Sequence, residues 1–225
     1  MSGSHRRSPL AFTLRAEAAM VVAVVAAGCV GWNAWAATAR HKVQVLIDAE
    51  AFSCESSGDV TSKEALVGSG NGATLNVPAL VLSPGLACRF EFVLRNTGGR
   101  KVVLNELIIP FMGSNGGTGL QAMMLDSFML NRVDDGGLDA RFVFPRGYPT
   151  VLEGGEDLRI SALLAWQDGC IEEGGSMTVD DAPRLKVSAL GLPGEILHGG
   201  GSYAMIGTVF SMAANCGWEQ RGQGE

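Results

Sequence analysis

Hydrophobic and polar positions alternate over much of the chain, and one arrangement of them recurs. Residues 79–99 read ALVLSPGLACRFEFVLRNTGG: an apolar run, a Pro-Gly turn, a longer alternating run and a second turn. With Gly85 aligned to Gly155, the segment 151–164 repeats this arrangement, and the segment 197–210, aligned on Gly201, repeats it more weakly. A glycine that permits the turn, followed by a run that crosses a sheet, predicts a repeated strand–turn–strand unit.

Further segments show the alternation of strands. They are residues 41–52, 102–111, 140–145 and 183–190. With the repeated units they predict roughly eight or nine strands at the spacing typical of sandwiches. The expected fold class is therefore all-β, an antiparallel β-sandwich of the jelly-roll or immunoglobulin-like kind, after an N-terminal membrane or signal helix.

Two segments depart from the strand pattern. Thr61 and Glu64 have the spacing of a helix capping box, so the sequence EALV that begins at Glu64 predicts a short helix. Residues 118–131, TGLQAMMLDSFMLN, are rich in Leu and Met and lack β-branched residues in their interior. They predict a short buried helix or lid.

The N-terminus predicts export. Residues 1–17 form a basic leader, and residues 18–37 are an apolar segment long enough to partition into a bilayer. Because the basic leader stays on the cytoplasmic side, residues 38–225 are predicted to form an extracytoplasmic β-sandwich domain, at the cell surface or secreted.

Three fates of the apolar segment stay open. Ala34-Trp35-Ala36 and Ala37-Thr38-Ala39 both offer the small-x-small pattern of signal peptidase sites. The sequence VVAAGC, which ends at Cys29, resembles a bacterial lipobox, in which the cysteine is lipidated. Without either processing step the segment remains as a membrane anchor.

The exported cysteines predict disulfides. Four cysteines follow the apolar segment, and an oxidising compartment favours their pairing. Cys54 follows the first strand and Cys88 begins another, while Cys170 and Cys216 occupy equivalent places in the aligned units. The strand alignment predicts the pairs Cys54–Cys88 and Cys170–Cys216, and Cys29 is left over.

Charge limits the classes of partner. From Ala37 onward the chain has 14 Lys and Arg against 22 Asp and Glu. A surface of this sign argues against nucleic acid and against attraction to anionic lipid headgroups. The expected partners are copies of this protein or other surface proteins, with a membrane contact through the N-terminal segment if it is uncleaved or lipidated.

No pattern predicts catalytic residues or a cofactor. The sequence has no G-x-S-x-G, and its histidines lie in the leader, at the edge of the apolar segment and in a glycine turn. A candidate for a cation site is a calcium loop, whose oxygen-bearing side chains are those of Asn131, Asp134, Asp135 and Asp139. The protein is accordingly expected not to be an enzyme.

The segment LSPGLACRFEFVLRNTGG resembles secreted camelysin-like and TasA-like surface or biofilm-matrix proteins, as does the closing segment YAMIGTVFSMAANCGWEQ. The resemblance implies a jelly-roll sandwich, export, and in some members assembly into matrix fibres. Bacterial immunoglobulin-like adhesion modules share the same turn residues. Four exported cysteines and a lipobox-like sequence depart from the fibre-forming proteins.

These observations predict an exported cell-surface structural or interaction protein that self-associates in an envelope or extracellular matrix. The alternative is a surface lipoprotein that holds a sugar, a peptide or an ion in its sandwich loops.

Overall fold

A computed structural model describes residues 9–48, 50–54, 63–68, 74–115, 119–128, 130–133, 136–145, 150–167, 176–179, 183–196 and 202–206. Within these residues the helix α1 spans Pro9–Arg40, and fifteen strands follow it. The strands are β1 Val43–Leu46, β2 Phe52–Cys54, β3 Lys63–Gly68, β4 Thr74–Val81, β5 Ala87–Asn96, β6 Val102–Ile109, β7 Leu120–Leu125, β8 Leu130–Asn131, β9 Ala140–Val143, β10 Val151–Leu152, β11 Asp157–Trp166, β12 Ser176–Val179, β13 Arg184–Ala189, β14 Leu192–Ile196 and β15 Tyr203–Ile206.

In the described part of the chain the strands form three sheets. The first has the order β1-β5-β11-β7-β8, with β2 also paired to β5. The second has the order β10-β6-β13-β14, with β9 also paired to β6, and the third has the order β12-β15-β4-β3. The pairings are antiparallel except for β15 with β4. The fold is an all-β sandwich after an N-terminal helix, as the alternation predicted.

The core lies between the inward faces of the sheets. Alternation along β5 buries every second side chain, and the same holds for β13. One cluster joins side chains of the three sheets, among them Phe90, Phe92, Leu94, Leu104, Leu107, Ile109, Leu185, Val187, Leu80, Tyr203 and Met205. Phe52, Phe90 and Tyr203 form an aromatic group in which ring centroids are 4.8 to 5.8 Å apart.

The repeated unit is confirmed and acquires a geometric meaning. Gly85 and Gly155 both have positive φ, 78° and 80°, as their turns require. The strands that follow, β5 and β11, have ten residues each and pair with one another, from Asp157 opposite Arg95 to Ala165 opposite Ala87. The two copies are therefore antiparallel neighbours in the first sheet. The turn of the third copy, at Gly201, lies outside the described residues.

Two predicted helices are wrong. The segment that contains EALV is β3, which pairs with β4 over six residues, so a sheet ladder replaces the predicted single turn of helix. Residues 120–125 are β7, whose buried Leu120, Ala122 and Leu125 fill the core beside β11. Of the residues in this segment that the structure describes, only Asp126–Phe128 is helical, as one 3₁₀ turn.

Candidate functional site

The helix enters the sandwich without a linker. Three residues after α1 ends at Arg40, β1 begins, and Ala36 and Ala39 in the last turns are buried. Arg40 Nη1 donates a hydrogen bond to the Leu192 carbonyl at 3.1 Å. The Arg40 side chain also crosses Gly194, where an added Cβ would come within 2.4 Å of Nε. The glycine thus lets the helix end pack closely against the edge strand β14.

A loop of the sandwich holds the helix from a second side. The Lys42 carbonyl accepts hydrogen bonds from the Thr97 backbone N–H at 2.9 Å and from Thr97 Oγ1 at 2.8 Å. Farther along this loop, the Arg100 guanidinium carbon lies 3.9 Å from the centroid of the Trp35 ring. Trp35 in turn meets Trp32 edge to face, with centroids 6.0 Å apart. A cation–π contact therefore links the β5–β6 loop to the helix.

Asn96 fixes the shape of that loop. It is fully buried at the end of β5, and its Nδ2 donates to the carbonyls of Arg100 at 2.7 Å, Glu153 at 3.0 Å and Leu152 at 3.2 Å. Its Oδ1 accepts from the Gly98 N–H at 3.0 Å. One side chain thus joins the 97–101 loop to the turn that precedes β11.

Basic side chains gather at this junction. We call Arg40, His41, Lys42, Arg100 and Lys101 the basic collar; all but the half-buried Arg40 are exposed. The collar combines the end of the helix that carries Trp32 and Trp35 with the loop that contacts Trp35. Its sign is opposite to the net charge of −6 of the whole chain. The negative charge of the whole chain, which disfavours contact with anionic lipids, therefore does not describe this end of the sandwich.

A surface groove of about 420 Å³ lies at the edge of the first sheet. It forms because β1 and β2 both pair with β5, while the chain between them leaves the ladder. The Ala51 carbonyl accepts from the Glu91 N–H at 2.7 Å and closes one side of this gap. The groove is lined by Asp48, Glu50, Ala51, Glu91, Phe92, Val93 and Arg159. Its charges are mostly acidic, and Arg159 lies 3.4 Å from Glu91.

Cross-strand ion pairs occupy the outer face of the second sheet. The Glu106 side chain, 10% exposed, accepts from Arg141 Nε at 2.6 Å and lies 2.8 Å from Lys186 Nζ. Burial opposes ionisation of this carboxyl, but the hydrogen bonds from Arg141 and Lys186 outweigh it and hold the Glu106 pKa below its ordinary value. These charges thus connect β9, β6 and β13.

Ion pairing and burial also shift the pKa values of three other groups. Arg95 and Asp157 form a two-bond pair across β5 and β11, and this pair raises the pKa of Arg95 and lowers that of Asp157. Complete burial raises the pKa of Tyr203.

The structure answers part of the cysteine and calcium predictions. The disulfide Cys54–Cys88 is present and joins β2 to β5, as predicted. Cys29 lies exposed on α1 as a free thiol.

Of the calcium loop, Asp139 accepts from the Phe111 N–H at 3.1 Å and forms an ion pair with Arg184, while Asn131 belongs to β8. Cys170, Cys216, Asp134 and Asp135 lie outside the described residues. Among the residues that are described, no three His, Cys, Asp or Glu side chains are grouped as metal ligands.

The helix can span a membrane by length and composition. Within the described residues, Ala19–Arg40 is the apolar stretch of sufficient length, with a mean hydropathy of 1.7. The side chains of residues 19–35 are exposed in the structure. An N-terminal apolar helix and a disulfide in the sandwich are both compatible with an extracytoplasmic location.

Comparisons with known proteins show no family. No protein-family model and no curated protein matches the chain. Among solved structures, an exo-β-N-acetylglucosaminidase from Vibrio harveyi has a TM-score of 0.37 at 10% identity, over 72% of this chain and 18% of the enzyme. A PapD-like domain of human CEP192 has a TM-score of 0.25 at 14% identity, over 57% of this chain and 79% of that domain. A family 123 glycoside hydrolase from Clostridium perfringens has a TM-score of 0.25 at 13% identity, over 73% of this chain and 27% of the enzyme. Similarity this low assigns neither a family nor an activity.

Proposed function

We propose that the protein is an exported structural or interaction module, not an enzyme, held at the outer face of a membrane by an uncleaved α1. The observation that carries the proposal is the joint between helix and sandwich. The apolar helix continues without a break into Ala36 and Ala39, which are buried, and Arg40 bonds to the edge strand β14. A helix joined in this way places the sandwich directly on the membrane surface.

The same joint favours retention of the helix over cleavage. The two signal peptidase patterns end at Ala36 and Ala39, inside the packed turns. A cut after Ala36 removes Trp35, on which Arg100 stacks. Either cut therefore removes residues that the folded domain uses, whereas the uncut chain keeps every contact.

The surface of the sandwich supports a structural or interaction role. Ion pairs such as Glu106–Arg141 and Arg95–Asp157 run between neighbouring strands and stiffen the sheets. Val103, Val143 and Val151 point outward from the second sheet and are exposed. Apolar side chains on an otherwise charged face provide a surface on which a second copy of the chain packs.

Two measurements test this proposal. In cells that produce the full chain, we expect the protein in the membrane fraction, released by detergent and not by alkaline carbonate. In sedimentation velocity of the detergent-extracted protein, we expect oligomers that become monomers in Val103→Gln/Val151→Gln. The control Met123→Gln, which alters an exposed apolar side chain of the first sheet, should leave the oligomers unchanged. Release by carbonate would refute the anchor, and a native protein that is monomeric at every concentration would refute self-association.

The groove at the edge of the first sheet supports the alternative, a ligand-binding lipoprotein carrying lipid on Cys29. With Asp48, Glu50 and Glu91 against Arg159, the groove suits a cationic ligand such as a basic peptide. Titration with an oligolysine peptide tests it. Saturable heat that Glu91→Gln weakens would favour this function, and no heat above dilution would reject a basic-peptide ligand.

A further inference from the structure

The depth of the sandwich relative to a bilayer follows from the helix. Ala19–Arg40 has 22 residues and is therefore about 33 Å long, close to the roughly 30 Å of a hydrocarbon core. About 20 of these residues cross the core, so the outer boundary of the hydrocarbon falls in the last turns of the helix, between Trp35 and Arg40. His41 and Lys42 follow directly, so the collar begins at the depth of the lipid headgroups.

A contact between the sandwich and the helix places the β5–β6 loop at the depth of the headgroups as well. Arg100 contacts Trp35, which precedes Arg40 by little more than one helical turn. Tryptophan is enriched at the boundary between hydrocarbon and headgroups. A side chain from the sandwich therefore touches the part of the helix that lies in this boundary, and Lys101 extends from the same loop.

We propose that the basic collar binds the headgroups of anionic phospholipids in the membrane that α1 spans. This inference rests on the proposed function, because it requires that the helix is retained. Phosphate oxygens accept from guanidinium and ammonium groups, and basic segments beside a membrane span are attracted to anionic leaflets. The Arg100 guanidinium lies over the Trp35 ring, and a cation–π contact of this kind does not use up its five N–H donors, with which it can bind a phosphate.

The acidic turn nearby lowers the formal positive charge of the collar but does not reverse it, because the turn carries two carboxylates against four Arg and Lys side chains. Glu153 and Glu156 lie in the turn before β11, which packs against the backbone of Gly98 and Gly99 through Gly154. Lys42 packs near the Cα of Gly98, where an added Cβ would lie 3.0 Å from its own Cβ. The Glu156 carboxylate accepts from the Glu153 N–H at 2.7 Å, a hydrogen bond that fixes its position and leaves its charge in place.

Lipid retention by the full chain tests the collar. The protein is reconstituted into nanodiscs of phosphatidylcholine mixed with phosphatidylglycerol, and the lipids that remain bound are identified by native mass spectrometry. We expect preferential retention of phosphatidylglycerol, reduced roughly tenfold in Arg100→Gln/Lys101→Gln. The matched control is Arg89→Gln, which removes a charge from the opposite end of β5 and should retain the preference.

The outcomes separate this inference from the proposed function. The intact mass, measured before reconstitution, shows whether the helix is retained; a cleaved chain would overturn both proposals. An intact chain that retains both lipids equally would overturn only the proposal that the collar binds anionic lipids. Full preference for phosphatidylglycerol in Arg100→Gln/Lys101→Gln, or its equal loss in Arg89→Gln, would likewise overturn the assignment to these residues.

Discussion

At the scale of single residues, Asn96 has the most connections of any polar side chain discussed above. The sequence identified NTGG after a strand as a turn, and the structure shows why an amide stands first in it. The Asn96 Nδ2 faces three carbonyls, and its Oδ1 faces an N–H. These bonds join segments more than fifty residues apart. The sequence could therefore identify the turn, but not the side chain that holds the two segments together.

Replacement of the Asn96 amide by a carboxyl should destabilise the fold. In Asn96→Asp, an acceptor replaces the donor that faces three carbonyls from a fully buried position, and we expect a loss of about 3 kcal/mol in the free energy of unfolding. Asn105→Asp is the matched control, because its partner Ser188 Oγ can donate instead of accept. Urea denaturation measures the free energy of unfolding of both variants. Equal losses would contradict the role assigned to the Asn96 amide.

Glu106 makes stability depend on pH in a defined direction. Its folded-state pKa lies below the unfolded value near 4.5, so its stabilisation is present above that pH and is lost as pH falls through the folded pKa. We expect Glu106→Gln to lower stability by about 2 kcal/mol at neutral pH and to reduce the loss on acidification. Denaturation of both proteins across acidic pH measures this. Parallel pH profiles for the native protein and Glu106→Gln would contradict it, and the exposed Glu153→Gln serves as the control.

At the scale of elements, strands with strict alternation could be predicted from the sequence, while elements defined by distant pairing could not. The strands near 102–111, 140–145 and 183–190 are present as β6, β9 and β13. The Thr61–Glu64 capping box is a local signal worth one helical turn, and the six-residue ladder with β4 outweighs it. The Pro and Gly of β14 conceal a strand because they are tolerated at a sheet edge.

The repeated unit predicts a matched effect at its two turns. In Gly85→Ala and Gly155→Ala, the added methyl group meets open space but requires positive φ, which should cost about 1 kcal/mol at each position. Gly99→Ala also meets open space but has no such φ, so it should be nearly neutral. Thermal or urea denaturation compares the three variants. A loss at Gly99 as large as those at the turns would contradict this explanation.

At the scale of the whole molecule, the parts of the junction could be found in the sequence, but not their contact. The apolar helix, its tryptophans and the basic pair Arg100-Lys101 are visible along the chain. Only the fold brings Arg100 of that pair beside Trp35, some sixty-five residues earlier. For the same reason, the chain-wide negative charge gave no indication of a basic collar at the membrane end.

The central claim is that the helix and the sandwich form one continuous unit, and that the uncleaved helix anchors the sandwich to the membrane. Intact-mass measurement of the protein extracted from cell membranes tests it most directly. We expect a mass that includes residues 9–40 with an unmodified Cys29. The mass of a chain that begins at Ala37 or Arg40, or of one that begins at a lipidated Cys29, would contradict the claim.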